Sequence, residues 1–60
     1  MDAFMKSILS RVLSDEIRNQ KEWQEDEKKM GLSDVYNDRD YNIKRITEFM
    51  KENDIVFREN

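Results

Sequence analysis

The chain has almost no helix breakers, because its 60 residues contain no proline and only one glycine, Gly31. These two residues interrupt helices more effectively than any others. A long uninterrupted stretch remains on either side of Gly31, and both stretches are rich in good helix formers. The sequence therefore predicts one small all-α domain over residues 1–60. We expect an αα-hairpin with helices at about 2–29 and 34–53, a corner at 30–33 and a short C-terminal tail.

The first segment has the periodicity of an amphipathic helix. Asp2 precedes it in the position of an N-cap, where its carboxylate can accept a backbone hydrogen bond. The polar residues expected on the solvent side are Lys6, Ser7, Ser10, Arg11 and Ser14. The apolar residues that share the other side are Phe4, Met5, Ile8, Leu9, Val12, Leu13 and Ile17.

The corner has a recognisable stop signal. Lys28 and Lys29 place positive charge in the last turn of the first helix, and Gly31 can adopt the left-handed conformation that ends many helices. Ser33 or Asp34 is then expected to cap the second helix, with Asp38 as an alternative start.

The second helix has an apolar stripe of Ile43, Ile46, Phe49 and Met50. A heptad pattern is weak here, because polar residues also occupy some of the core positions. Asn53 and Asp54 mark the expected end of the helix. The segment 55–57, Ile-Val-Phe, has three possible structures: a packed tail, a frayed helical turn, or a strand that pairs with another chain.

The composition removes most catalytic and metal chemistry. Without cysteine or histidine there are no disulfides, thiolate zinc sites or histidine general bases, so we expect no cofactor and no bound metal. Asp38, Asp40 and Asn42 match the start of a calcium loop, but Ile43 and Phe49 replace the glycine and the glutamate that such a loop requires. These polar residues are better explained as part of a corner or a helix start.

Two helices also leave little volume for a ligand pocket of a few hundred cubic ångströms, so we predict that the protein is not an enzyme. No apolar run approaches the 18 or so residues that cross a membrane, and only Lys6 and Arg11 flank the apolar side of the first helix. Membrane attachment is therefore not expected, and the predicted location is cytoplasmic.

A net charge of −3 argues against general binding to phosphate backbones. In length and corner position, however, the predicted hairpin resembles the Rop-type RNA-binding bundle, a resemblance of architecture that no matched residues carry. It implies an alternative function, a homodimeric four-helix bundle that binds nucleic acid. The basic residues available for that function are Arg11, Arg18, Lys44, Arg45 and Lys51.

The leading prediction is a small regulator that binds another protein as an inhibitor, adaptor or accessory subunit. Phe4, Ile8 and Val12 would insert into a groove of the partner, although the same residues could instead pack on the second helix as core. Trp23 is either an interface residue or a cap on the open end of the core. The acidic stretches EWQEDE and SDVYNDRD offer a further route, mimicry of nucleic acid in a basic channel. A lone hairpin cannot cover its apolar faces, so we expect dimerisation or docking on a partner to complete it.

Overall fold

A computed structural model describes residues 1–59, apart from the side chains at positions 33, 35 and 36. It contains two α-helices, α1 (Ala3–Lys29) and α2 (Ser33–Glu52), which pack against each other as a hairpin. The predicted fold class is therefore confirmed. The Cα trace measures 42 × 21 × 11 Å. Its longest dimension is that of α1, since 27 helical residues span about 40 Å.

Helix α1 begins as predicted. Asp2 has extended backbone angles, and its carboxylate accepts a hydrogen bond of 2.8 Å from the backbone N–H of Met5. This bond satisfies one of the four N–H groups that a helix start leaves without an intrahelical partner. Lys28 and Lys29 lie in the last turn, where their charge complements the helix dipole.

The corner between the helices is a Schellman motif centred on Gly31. This residue has φ = +75°, as its predicted role requires, and its N–H donates to the carbonyl of Lys28. The N–H of Leu32 donates to the carbonyl of Glu27 at 2.9 Å, which completes the pair of bonds that defines the motif.

Helix α2 starts at Ser33 rather than at Asp38. Its N-cap position is taken by Leu32, which has no polar side chain, so the predicted cap by Asp34 is wrong. Leu32 takes the N-cap position because the Schellman motif ends at this residue and α2 begins at the next one. Asp34 instead contributes its negative charge to the first turn. The predicted cap by Ser33 concerns a side chain outside the described residues.

Helix α2 ends in a second Schellman motif. Its C-cap is Asn53, and Asp54 follows with φ = +54°. The N–H of Ile55 donates to the carbonyl of Met50 at 2.8 Å, and both of these side chains are buried. The predicted helix end is thus correct to within one residue. The motif reverses the chain and directs Ile55 into the core.

The core lies between the helices and beneath the segment 55–59, which we call the tail. Its buried apolar residues are Ile17, Met50 and Ile55. Around them pack four partly buried residues, Leu9, Leu13, Ile43 and Ile46.

The tail has no regular secondary structure and returns along α1. Of the three structures considered for residues 55–57, the packed tail is confirmed. Ser10 donates from its hydroxyl to the carbonyl of Val56, and the N–H of Arg58 donates to the Ser14 hydroxyl at 2.9 Å. These contacts bury Ser10 and Ser14, so their predicted exposure on a solvent side is wrong. The tail occupies the side of α1 that the polar pattern had assigned to water.

Candidate protein-docking surface

An apolar strip on the N-terminal half of α1 remains outside the core. It consists of Phe4, Met5, Ile8 and Val12. The side chains of Phe4 and Val12 are 72% and 52% exposed, and Met5 is also exposed, whereas Ile8 is half-buried. The core contacts of α1 are made instead by Leu9, Leu13 and Ile17. The predicted apolar face is therefore divided into a buried row and an exposed row.

Most of the strip faces away from the tail, and Phe4 lies at the edge of the strip nearest to it. Residues two apart on an α-helix point about 200° apart, so Val12 lies nearly opposite Ser14, which binds the tail. On α2, Phe49 and Lys51 are also two residues apart and so point to opposite sides. Lys51 lines a cleft together with the tail residue Phe57, so Phe49 faces away from the tail. Phe49 is 43% exposed. The hairpin therefore has one broad side that the tail covers and another on which apolar side chains face solvent.

Trp23 lies on the same side of α1 as Val12, because eleven residues make just over three whole turns. About 16 Å of helix separates the two residues, and polar Glu16 and Asn19 lie between them. Trp23 is thus a second exposed apolar site, 44% exposed, near the corner of the hairpin.

Contacts between the helices fix one side of the Trp23 ring. The guanidinium carbon of Arg39, on α2, lies 4.9 Å from the ring centre. The Nε of Arg39 donates to the carboxylate of Glu27 at 2.7 Å, and this guanidinium also reaches the Gln20 side chain at 3.4 Å. Glu27 and Gln20 are both buried. Trp23 therefore packs on a partly buried ionic contact near the corner, outside the apolar core cluster, while part of its ring stays available for an external contact.

Two of the basic residues considered for nucleic-acid binding already have side-chain contacts within the chain. Arg18 donates to the Asp15 carboxylate and to the carbonyl of Arg58, and it also faces the ring of Phe57. Arg45 lies over the ring of Tyr41. Two of the five candidates are thus engaged in holding or packing the hairpin.

The acidic residues do not assemble a metal site within the described part of the chain, where no group of three histidine, cysteine, aspartate or glutamate side chains converges. Asp38, Asp40 and Asn42 lie inside α2 rather than in a loop or at a helix start. Successive members of this set point about 200° apart, so they cannot surround one ion. Within the described residues, neither helix has an apolar stretch long enough to cross a membrane.

The hairpin has more pocket volume than the sequence predicted. Shallow clefts of about 290 to 400 Å³ line the sides of the hairpin. Two of them lie between the helices, where the single layer leaves the groove open to solvent, and the third lies between α1 and the tail.

Two features escaped the sequence-based prediction. Ser7, Ser10, Ser14 and Arg18 follow one another at three- and four-residue intervals, which places them in a row on α1 that binds the tail. Arg39 joins the helices through Glu27 and Trp23. The spacing of the serines was visible in the sequence, but no local pattern indicated that a segment more than forty residues away would cover them.

Comparisons with protein families, with curated proteins and with solved structures find no match to this chain. Any assignment of function therefore depends on the geometry and chemistry of the hairpin itself.

Proposed function

We propose that this protein is a non-enzymatic regulator that binds another protein through the apolar strip of α1. The observation that carries the proposal is the exposure of Phe4 and Val12, at 72% and 52%, on a helix that has a separate row of residues for its own core. Apolar side chains that recur at intervals of four residues on one side of a helix are suited to a partner's groove.

The dimensions of the strip favour a larger partner over a second copy of the chain. Four partly exposed side chains offer roughly 300–400 Å² of apolar surface, taking about 150–250 Å² for a large side chain. A stable interface of standard size buries about 800 Å² on each partner. Two strips packed on each other fall short of this area, whereas a groove that encloses α1 would also bury the neighbouring polar surface.

Trp23 would add a second contact on the same side of the helix. Tryptophan is enriched among interface residues that dominate binding energy, and its ring here is held in place by Arg39. The ring therefore loses little conformational freedom when a partner covers it. Glu16 and Asn19, between the two apolar sites, would lie at the polar part of the interface.

The proposal is tested by capturing proteins from a lysate of the source organism with immobilised wild-type chain and with a Phe4→Ser/Val12→Ser variant. The proposal requires a protein that wild type retains and the variant loses, and whose direct binding is then measured with purified components. Glu25→Ser is the matched control, because it changes an exposed residue of the same helix more than three turns away from the strip.

Circular dichroism of each variant keeps the test interpretable. Loss of binding counts only if the variant keeps wild-type helicity. If every retained protein binds the double variant as tightly as wild type, the strip is not the docking site and the proposal is wrong.

A further inference from the structure

A cleft of about 350 Å³ lies beside the tail, on the side of the hairpin opposite the apolar strip. Its floor is formed by Ile17 of α1 together with Ile43 and Met50 of α2, and Phe57 of the tail lies at its edge. Ligand sites in proteins range from about 300 to 1,000 Å³, so the cleft has room for a small apolar group.

Two lysines stand at the rim of this apolar cleft. Lys21 comes from α1 and Lys51 from the last turn of α2, so the charges approach from both helices. Both side chains are exposed, and among the described residues neither ammonium group has a hydrogen bond or an ion pair. Among the described residues, no aspartate or glutamate lines the cleft. The cleft therefore combines an apolar floor with two positive charges that form no ion pair within the described structure.

We propose that this cleft binds a single-chain amphipathic anion. An alkyl chain would cover Ile17, Ile43 and Met50, and a carboxylate or phosphate head would lie between Lys21 and Lys51. Removing apolar surface from water supplies the main driving force, and the two ammonium groups select for a negative head. The flexible lysine stems can follow the apolar wall while their charged ends stay at its rim. This inference is independent of protein binding at the apolar strip, since the two sites are on opposite sides of the hairpin.

Binding at this site would also tighten the tail. Phe57 lies at the edge of the cleft, and the next residue, Arg58, donates its N–H to the buried hydroxyl of Ser14. An alkyl chain packed on Phe57 would hold the tail against α1. Hydrogen exchange at the Arg58 amide should therefore slow when the ligand is bound.

The test is an NMR titration of the full chain with decanoate and, in parallel, with decyl phosphate, each below its micelle concentration. We expect saturable shifts at the cleft residues and slower exchange at Arg58. A Lys21→Gln/Lys51→Gln variant should bind roughly tenfold more weakly, because each exposed charge contributes up to about fivefold. Tighter binding of decanoate would indicate a fatty acid as the natural ligand class, and tighter binding of decyl phosphate a phosphorylated lipid.

A Lys28→Gln/Lys29→Gln variant is the matched control, since it removes the same charge near the corner and should keep wild-type affinity. Decyltrimethylammonium is the matched cationic probe and should bind much more weakly than decanoate. The proposal is overturned if the cationic probe binds as well as decanoate, if the two double variants behave alike, or if no saturable shift appears at the cleft.

Discussion

At the scale of single residues, the two helix ends show how one geometry is made from different amino acids. Both α1 and α2 close with a Schellman motif, and both need a left-handed residue directly after the cap. Gly31 fills this position with φ = +75°, whereas Asp54 fills it with φ = +54°. The left-handed conformation costs an ordinary residue about 1–2 kcal/mol, and glycine avoids this cost.

Asp54→Gly should therefore stabilise the protein. The relief of the left-handed conformation exceeds the additional entropy of an unfolded glycine, about 0.5–1 kcal/mol, so we expect a net gain of about 0.5 kcal/mol. The change in unfolding free energy is measured by urea denaturation monitored by circular dichroism. Gly31→Ala is the reciprocal change and should lose about 1 kcal/mol through backbone conformation alone, because no atom lies within 4 Å of the new methyl group. An Asp54→Gly variant less stable than wild type would contradict this account.

Arg39 is the residue whose loss should disturb the corner end of the hairpin most. Arg39→Ala removes the partner of a Glu27 carboxylate that is 7% exposed and leaves that charge buried without compensation. We expect a loss of about 2–3 kcal/mol in unfolding free energy. A Glu27→Gln/Arg39→Ala double variant should recover part of it, because the uncompensated charge is then gone. Equal stability of the single and double variants would show that the unpaired Glu27 charge costs nothing, which would contradict this explanation.

At the scale of elements, the tail acts as a second layer on the two helices, which the helix pattern could not reveal. Its backbone is fixed by side chains of α1, with the hydroxyls of Ser10 and Ser14 bound to Val56 and Arg58. Ser14 is fully buried by this contact. The polar row of α1 is therefore a binding site for the chain's own C-terminal segment.

Ser14→Ala should loosen the tail while leaving the two helices intact. Removal of one partly buried hydrogen bond costs about 1 kcal/mol, which corresponds to roughly fivefold faster hydrogen exchange at the Arg58 amide. Ser7→Ala is the matched control: the Ser7 hydroxyl accepts a hydrogen bond from the Arg58 side chain rather than from its backbone N–H, so exchange at that amide should change little. Unchanged exchange in Ser14→Ala would show that this hydroxyl does not hold the tail.

Substitutions in the buried row and in the exposed row of α1 should have different effects on the unfolding free energy. Ile17→Ala removes methyl groups from a core residue that is 4% exposed and should cost about 2–4 kcal/mol, a large share of the stability of so small a domain. Val12→Ser changes an exposed residue of the same helix and should stay within about 0.5 kcal/mol of wild type. Thermal and urea unfolding separate these outcomes. A comparable loss for both variants would place Val12 in the core.

At the scale of the whole molecule, local signals predicted the helices, their ends and the hairpin. Asp2, Lys28, Lys29 and Gly31 each act within one helical turn, so the sequence alone was sufficient for them. The side of α1 that becomes core was predicted only in part. Periodicity cannot tell the buried row from the exposed row when both are apolar, and the choice depends on where α2 and the tail lie.

The candidate surface was harder to predict for the same reason. Chemistry and spacing single out Phe4, Ile8, Val12 and Trp23 in the sequence, but neither property reveals whether the hairpin itself buries them. In the folded chain Phe4, Val12 and Trp23 are exposed and Ile8 is half-buried. The single-layer shape of the hairpin leaves this side without a covering element among the described residues.

The central claim is that the apolar strip is free in the isolated chain and is filled by a different protein. The measurement that tests it most directly is the mass in solution, by sedimentation equilibrium over a wide range of concentration. The account predicts a monomer of 7.4 kDa with full helicity, because two strips offer too little area for a stable dimer. A tight dimer that Phe4→Ser/Val12→Ser dissociates would show that a second copy already occupies the strip, and would contradict the claim.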